Sequence, residues 1–161
     1  MDEFLAAPLQ AKIALITLFL ALTISVVTDI RTRLILNAIT YPALGIVAVC
    51  VLWLGGFSLL ADSALGVLVC AGPFALMMLR NWMGAGDVKL MALSGAVSGA
   101  AAGWPFSLTI LLYVAIAGGI QSVLWIAAAK LRGQDRPKYV PYGVSIAAGS
   151  IAAFLFGGAL L

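Results

Sequence analysis

The sequence predicts an all-α, polytopic membrane protein: a bundle of about six transmembrane helices forming a single domain over residues 1–161. Three observations lead there. Of the 161 residues 64% are hydrophobic and 9% charged, whereas soluble domains carry roughly 25% charged residues. The apolar residues gather into six segments parted by short turns, and mean hydropathy is +1.16. The basic residues concentrate at alternate turns. The longest polar connection, 130–140, leaves no room for a separate soluble domain. Nine Lys and Arg against six Asp and Glu give a net charge of +3. Spread over so apolar a chain, that charge makes no phosphate-binding stripe, and nucleic acid is not an expected partner.

The segments run over about 11–28, 37–54, 58–79, 87–102, 106–129 and 141–161. Arg31-Thr32-Arg33 follows the first, Gly55-Gly56 the second and Arg80 to Gly86 the third. Gly103-Trp104-Pro105 closes the fourth, and Lys130 to Val140 the fifth. The first segment is a retained helix, because Met1-Asp2-Glu3 is acidic where a signal peptide is basic. Gly95, Gly99 and Gly103 recur at every fourth residue and predict a small face for close helix contact. Gly143 with Ala147 and Gly149 with Ala153 repeat the pattern in the sixth segment, while Pro42 and Gly72-Pro73 are expected to bend or cap their helices.

Arg31, Arg33, Arg80, Lys89, Lys130, Arg132, Arg136 and Lys138 all fall on the first, third and fifth connections or beside them, leaving Lys12 alone on the other side. The bias of Lys and Arg towards cytoplasmic loops then places those connections in the cytoplasm and both termini outside. Histidine is absent, which removes His-based acid–base chemistry and most zinc sites. Cys50 and Cys70 lie in apolar runs without CxxC spacing and read as small buried hydrophobes. No metal and no cofactor is expected.

Charges in a membrane chain each need a reason. Asp62 lies in the first turns of the third segment, where a carboxylate meets a helix N-terminal dipole, and Asp135 sits among basic residues in a loop. Asp29 and Asp87 differ. Both stand at the cytoplasmic end of an apolar helix, so adjoining helices would bring the two carboxylates together. Close carboxylates share a proton; one can then act as general base on water and the other as general acid towards a scissile carbonyl. The structural alternative pairs each Asp with a neighbouring Arg or Lys. Gly84-Ala85-Gly86 directly before Asp87 supplies backbone freedom and room for an extended substrate.

Three stretches resemble the prepilin peptidases, the type IV leader peptidase family of GxGD membrane aspartic proteases, and are most similar to the short Tad-type enzymes that process Flp-like pilins. Asp29-Ile30-Arg31-Thr32-Arg33 with Asn37 resembles the first aspartate motif. Gly84-Ala85-Gly86-Asp87-Val88-Lys89 resembles the second, and Pro141-Tyr142-Gly143 with Ala147-Ala148-Gly149 the final-helix motif. The resemblance implies Asp29 and Asp87 as catalytic acids, Gly84, Gly86 and Lys89 at the substrate approach, and supporting roles for Arg31, Arg33, Asn37, Pro141, Tyr142 and Gly143. It also implies cleavage of a short basic leader from a prepilin or pseudopilin, at the cytoplasmic face of the bacterial inner membrane, just before the pilin's hydrophobic helix. The substrate and the lipid bilayer are then the partners. Ile35-Leu36-Asn37 departs from the family's usual Ile-Pro-Asn. The paired CxxC motifs of the longer, methylating enzymes do not occur, so methyltransferase activity is not expected. Two other readings stay open: a non-enzymatic subunit or ion-coupled transporter using Asp29 and Asp87 as ion-binding charges, and a Ser-Lys protease built on Lys89 with Ser94 or Ser98.

Overall fold

The computed structural model describes residues 8–32, 34–133 and 141–157, and these form five helices with no strand among them. Helix α1 covers Leu9–Thr32, α2 Asn37–Leu79, α3 Ala85–Ala102, α4 Phe106–Leu131 and α5 Tyr142–Phe156. The acidic N-terminal tip, Arg33, Asp135, Arg136 and Lys138 lie outside the described residues. Three helices, α1, α2 and α4, are long and apolar enough to cross a membrane, and α5 is a shorter apolar helix. Large apolar side chains such as Ile16, Leu20, Leu68, Leu112, Ile116 and Val123 point outwards. Water would not tolerate such a surface, but hydrocarbon matches it. The chain is a helical membrane protein.

The expected second and third segments meet without an intervening loop, so α2 joins two helical stretches across a break at Gly56. The physical reason is local. Only Gly56 leaves helical geometry, at φ 70 and ψ −168, and the helix resumes at once on its other side. That conformation favours glycine, which carries no Cβ to clash. A straight helix of 43 residues would separate its ends by about 65 Å. Yet Asn37 bonds to Lys89 near the start of α3, and Leu79 reaches that same start through the short link 80–84. Between them, Asp62 packs against Gly99 near the far end of α3. The element therefore doubles back at Gly56, its first half running alongside α3 and its second half antiparallel to it. Pro42 and Pro73 lie inside helical stretches, and neither marks the break.

Helix α3 is the axis of the bundle and touches every other helix. Leu90, Met91 and the run Leu93–Ala100 are buried all round it. A helix made of Gly, Ala and Ser suits that position, because small residues let neighbouring backbones approach. A Cβ on Gly95 would lie 2.2 Å from the carbonyl oxygen of Gly66, and one on Gly99 the same distance from that of Asp62. Ser63 Oγ donates across the same seam to the Ala96 carbonyl at 2.9 Å. The hydroxyls of α3 are satisfied by neighbouring helices: Ser150 donates to Ser94 at 3.1 Å, and Ser98 meets Ser107 at 2.6 Å. Gly103, expected to continue the small face, instead ends α3 at φ 80, and its N–H caps the Gly99 carbonyl. Gly149 does form a close contact, facing the Val114 backbone of α4. Buried Cys70 contacts the Ser107 carbonyl, whereas Cys50 is only half-buried.

One end of the bundle collects the end of α1, both ends of α2, the start of α3 and the start of α5. Arg31, Arg80 and Lys89 belong to the described elements and turns there, and Lys130 and Arg132 to the end of α4 that leads back to it. Lys12, in the first turn of α1, is at the opposite end.

Candidate active site

Asp29 lies in the last turn of α1 and is buried, 7% exposed. Helical spacing explains its burial: Leu18, Leu22, Ser25 and Asp29 recur at three or four residues and form the inward face of α1. Its Oδ2 accepts a hydrogen bond from the Gly143 N–H at 2.9 Å. Gly143 is in the first turn of α5, so the carboxylate rests on a helix N-terminus, where unpaired N–H groups and the positive dipole end favour negative charge. The approach requires glycine. A Cβ there would stand 2.7 Å from Oδ2 and 3.2 Å from Cγ of Asp29.

Asp87 is the third residue of α3 and half-buried. Its carboxylate reaches back to accept from the Gly84 N–H at 3.3 Å, holding the turn that precedes the helix. The two glycines before it behave differently from their expected role as sources of backbone freedom. Gly84 has φ −78 and ψ 149, an extended conformation open to any residue, and a Cβ there would meet only ordinary contact. Gly86 is needed for space: a Cβ would lie 2.7 Å from Cβ of Ile35, in the link between α1 and α2. The left-handed residue of the 80–84 turn is Asn81, at φ 56.

Asp29 and Asp87 come close enough for each carboxylate to lie in the other's electrostatic field. Among the described residues their hydrogen-bond partners are backbone N–H groups, Gly143 for Asp29 and Gly84 for Asp87, and not Arg or Lys. Lys89 turns elsewhere. Its Nζ donates to Asn37 Oδ1 at 2.6 Å and sits 4.7 Å from the centre of the Tyr41 ring, tying α3 to the first turn of α2. Arg31 is exposed on the last turn of α1, and Arg33 lies outside the described residues. Pro141 precedes α5, and the ring of Tyr142 packs beside Gly118 of α4. Ser94 and Ser98 engage other serines, with neither on Lys89. Sequence reasoning missed Gln121 and Ser145, which meet across α4 and α5; a glutamine inside an apolar helix was the available signal.

Two carboxylates within electrostatic reach of each other resist carrying charge together. A model of the type IV leader peptidase family matches residues 16–123, two-thirds of the chain, and contains both aspartates. The chain belongs to the type IV leader peptidase family. No curated protein and no solved structure matches it. The match stops before α5, so the Gly143 contact with Asp29 stands on the geometry alone.

Two substitutions probe how this peptidase holds the pair. Gly143→Ala drives a methyl group into Asp29 and should lower leader cleavage by about 100-fold, the scale of a ~1 Å misplacement. The check is turnover per molecule of membrane-inserted protein; a wild-type rate would show that Asp29 does not depend on this approach. Lys89→Met removes a charged hydrogen bond and a cation–π contact and should cost about 1–2 kcal/mol of stability. Thermal unfolding in detergent reads that loss directly.

Proposed function

We infer that this peptidase is an aspartic endopeptidase of GxGD type that removes the short basic leader from type IV, Flp-like prepilins or pseudopilins. The observation that carries this reading is that Asp29 and Asp87 stand within electrostatic reach at one end of the bundle, inside the stretch matched by the family model. One carboxylate takes a proton from water, which attacks the scissile carbonyl, and the other protonates the oxygen of that carbonyl. The proton held by the base then passes to the leaving amine as the peptide bond breaks. Gly84 and Gly86 line the approach to Asp87, and Lys89 with Asn37 fixes the neighbouring wall.

The doubling of α2 at Gly56 supports six crossings of the bacterial inner membrane, with both termini outside. Arg31, Arg80, Lys89, Lys130 and Arg132 on the site-bearing side support a cytoplasmic active end. There a basic leader meets the aspartates and the anionic lipid surface, which attracts Lys and Arg, while the pilin's hydrophobic helix stays in the bilayer. The product serves pilus assembly or secretion.

Co-expression with prepilins encoded in the same genome tests the reading. The expected result is a pilin shortened by its leader, with intact-mass measurement placing the new N-terminus just before the apolar helix. If every such prepilin keeps its leader in the presence of membrane-inserted enzyme, the assignment fails.

A further inference from the structure

Gln121 lies within α4, an apolar helix whose buried residues include Phe106, Ile110, Val114 and Gly118. Both ends of its side-chain amide are engaged. Nε2 donates to the Pro141 carbonyl at 2.9 Å, and Oε1 accepts from the Ser145 hydroxyl. A carbonyl oxygen can only accept, so the amide orientation follows from its partners. Pro141 is the residue before α5 and supplies no side-chain cap, while Ser145 lies one turn further on. Gln121 thus grips the first turn of α5 on both sides of Gly143. Beside it Gly118 admits the Tyr142 ring, and Ser122 turns back onto the Gly118 carbonyl.

Gly143 is where Asp29 is held, through an N–H bond of 2.9 Å. A continuous chain of contacts therefore runs from Gln121 through the first turn of α5 to the Asp29 carboxylate. We propose that Gln121 is a positioning residue for Asp29: by fixing Pro141 and Ser145 it sets the direction of the Gly143 N–H, and so the place of the carboxylate relative to Asp87. This rests on the reading of Asp29 and Asp87 as the catalytic pair. Gln121 itself touches neither aspartate. A glutamine serving only as glue between α4 and α5 would support the amount of folded protein. A positioning glutamine controls turnover and the pH at which the pair is active.

The experiment compares Gln121→Leu, Gln121→Glu and Asp29→Asn, each measured on a leader-bearing prepilin in membranes and normalised to inserted enzyme. Gln121→Leu removes both bonds and should lower kcat about 10- to 100-fold with KM unchanged, together with a displaced pH profile. Gln121→Glu offers a donor to the Pro141 carbonyl only while its carboxyl is protonated. Its rate should approach wild type at the acid end of the profile and fall away as pH rises. Wild-type kcat and pH profile in Gln121→Leu, with Asp29→Asn inactive, would overturn the positioning role and leave the catalytic pair standing. Normal cleavage by Asp29→Asn would instead remove the reading beneath it. If Gln121→Leu does not insert, the pH dependence of Gln121→Glu decides: rescue at low pH supports the proposal, and a profile parallel to wild type rejects it.

Discussion

Asp29→Asn and Asp87→Asn are each expected to reduce leader cleavage to background while the protein accumulates in the membrane at its usual level. Asparagine keeps the size of aspartate and keeps an oxygen. The residue at 29 can still accept from the Gly143 N–H, and the residue at 87 can still accept from Gly84. The fold therefore loses little. What disappears is proton exchange, since an amide is neither a base for water nor an acid for a carbonyl oxygen. General acid–base catalysis contributes about 10²–10⁴-fold per group, and two groups that work on one shared proton fail together. The double variant should consequently be no worse than either single one. Wild-type enzyme should show a bell-shaped dependence of rate on pH, whose limbs belong to the pair and not to one residue. Gel-shift of a prepilin, normalised to inserted enzyme, measures the loss; full processing by either single variant rules out the aspartic mechanism.

The residues of that pair were legible because carboxylates in so apolar a chain stand out, and because the basic residues sort the turns to two ends. The partners that hold them were not. Gly143 is 114 residues from Asp29 in sequence, and only the packing of α5 against α1 brings them together. A glycine in a helix repeating small residues reads as a packing glycine, and Gly149 is one; the pattern cannot show that at Gly143 the neighbour is a carboxylate. The motif glycines carried a similar ambiguity. Flanking an acid, they suggest unusual backbone angles, whereas Gly84 is extended and Gly86 makes room for Ile35. Gly55-Gly56 was legible as a break, but whether helix resumes after one residue or after a loop depends on contacts with α3. Lys89 lies only two residues beyond Asp87, yet tertiary packing turns it to Asn37 and Tyr41.

The seam between the second half of α2 and α3 sets the position of Asp87, and there Gly95→Leu should prevent the protein from folding. Even a methyl at this position would lie 2.2 Å from the Gly66 carbonyl oxygen and 2.9 Å from Cβ of Cys70. The first of these is backbone, which cannot rotate away as a side chain can. Relief requires the two helices to separate, and separation breaks more than the local contact. The bond from Ser63 to the Ala96 carbonyl would lengthen, and the Gly99 approach to Asp62 would open. Overpacking a tight core costs about 1–3 kcal/mol for added methylenes that can be accommodated, and a leucine here has no space to enter. Values above ~4 kcal/mol are reached when packing and buried hydrogen bonds fail together, a large share of a typical stability of about 5–15 kcal/mol. The measurable outcome is loss of inserted, protease-resistant protein in membranes. Gly84→Ala, where a Cβ meets only ordinary contact, is the matched control and should accumulate normally. The contrast separates the two glycines by what they touch: Gly95 keeps α3 against α2, and only with α3 in place does Asp87 stand across from Asp29.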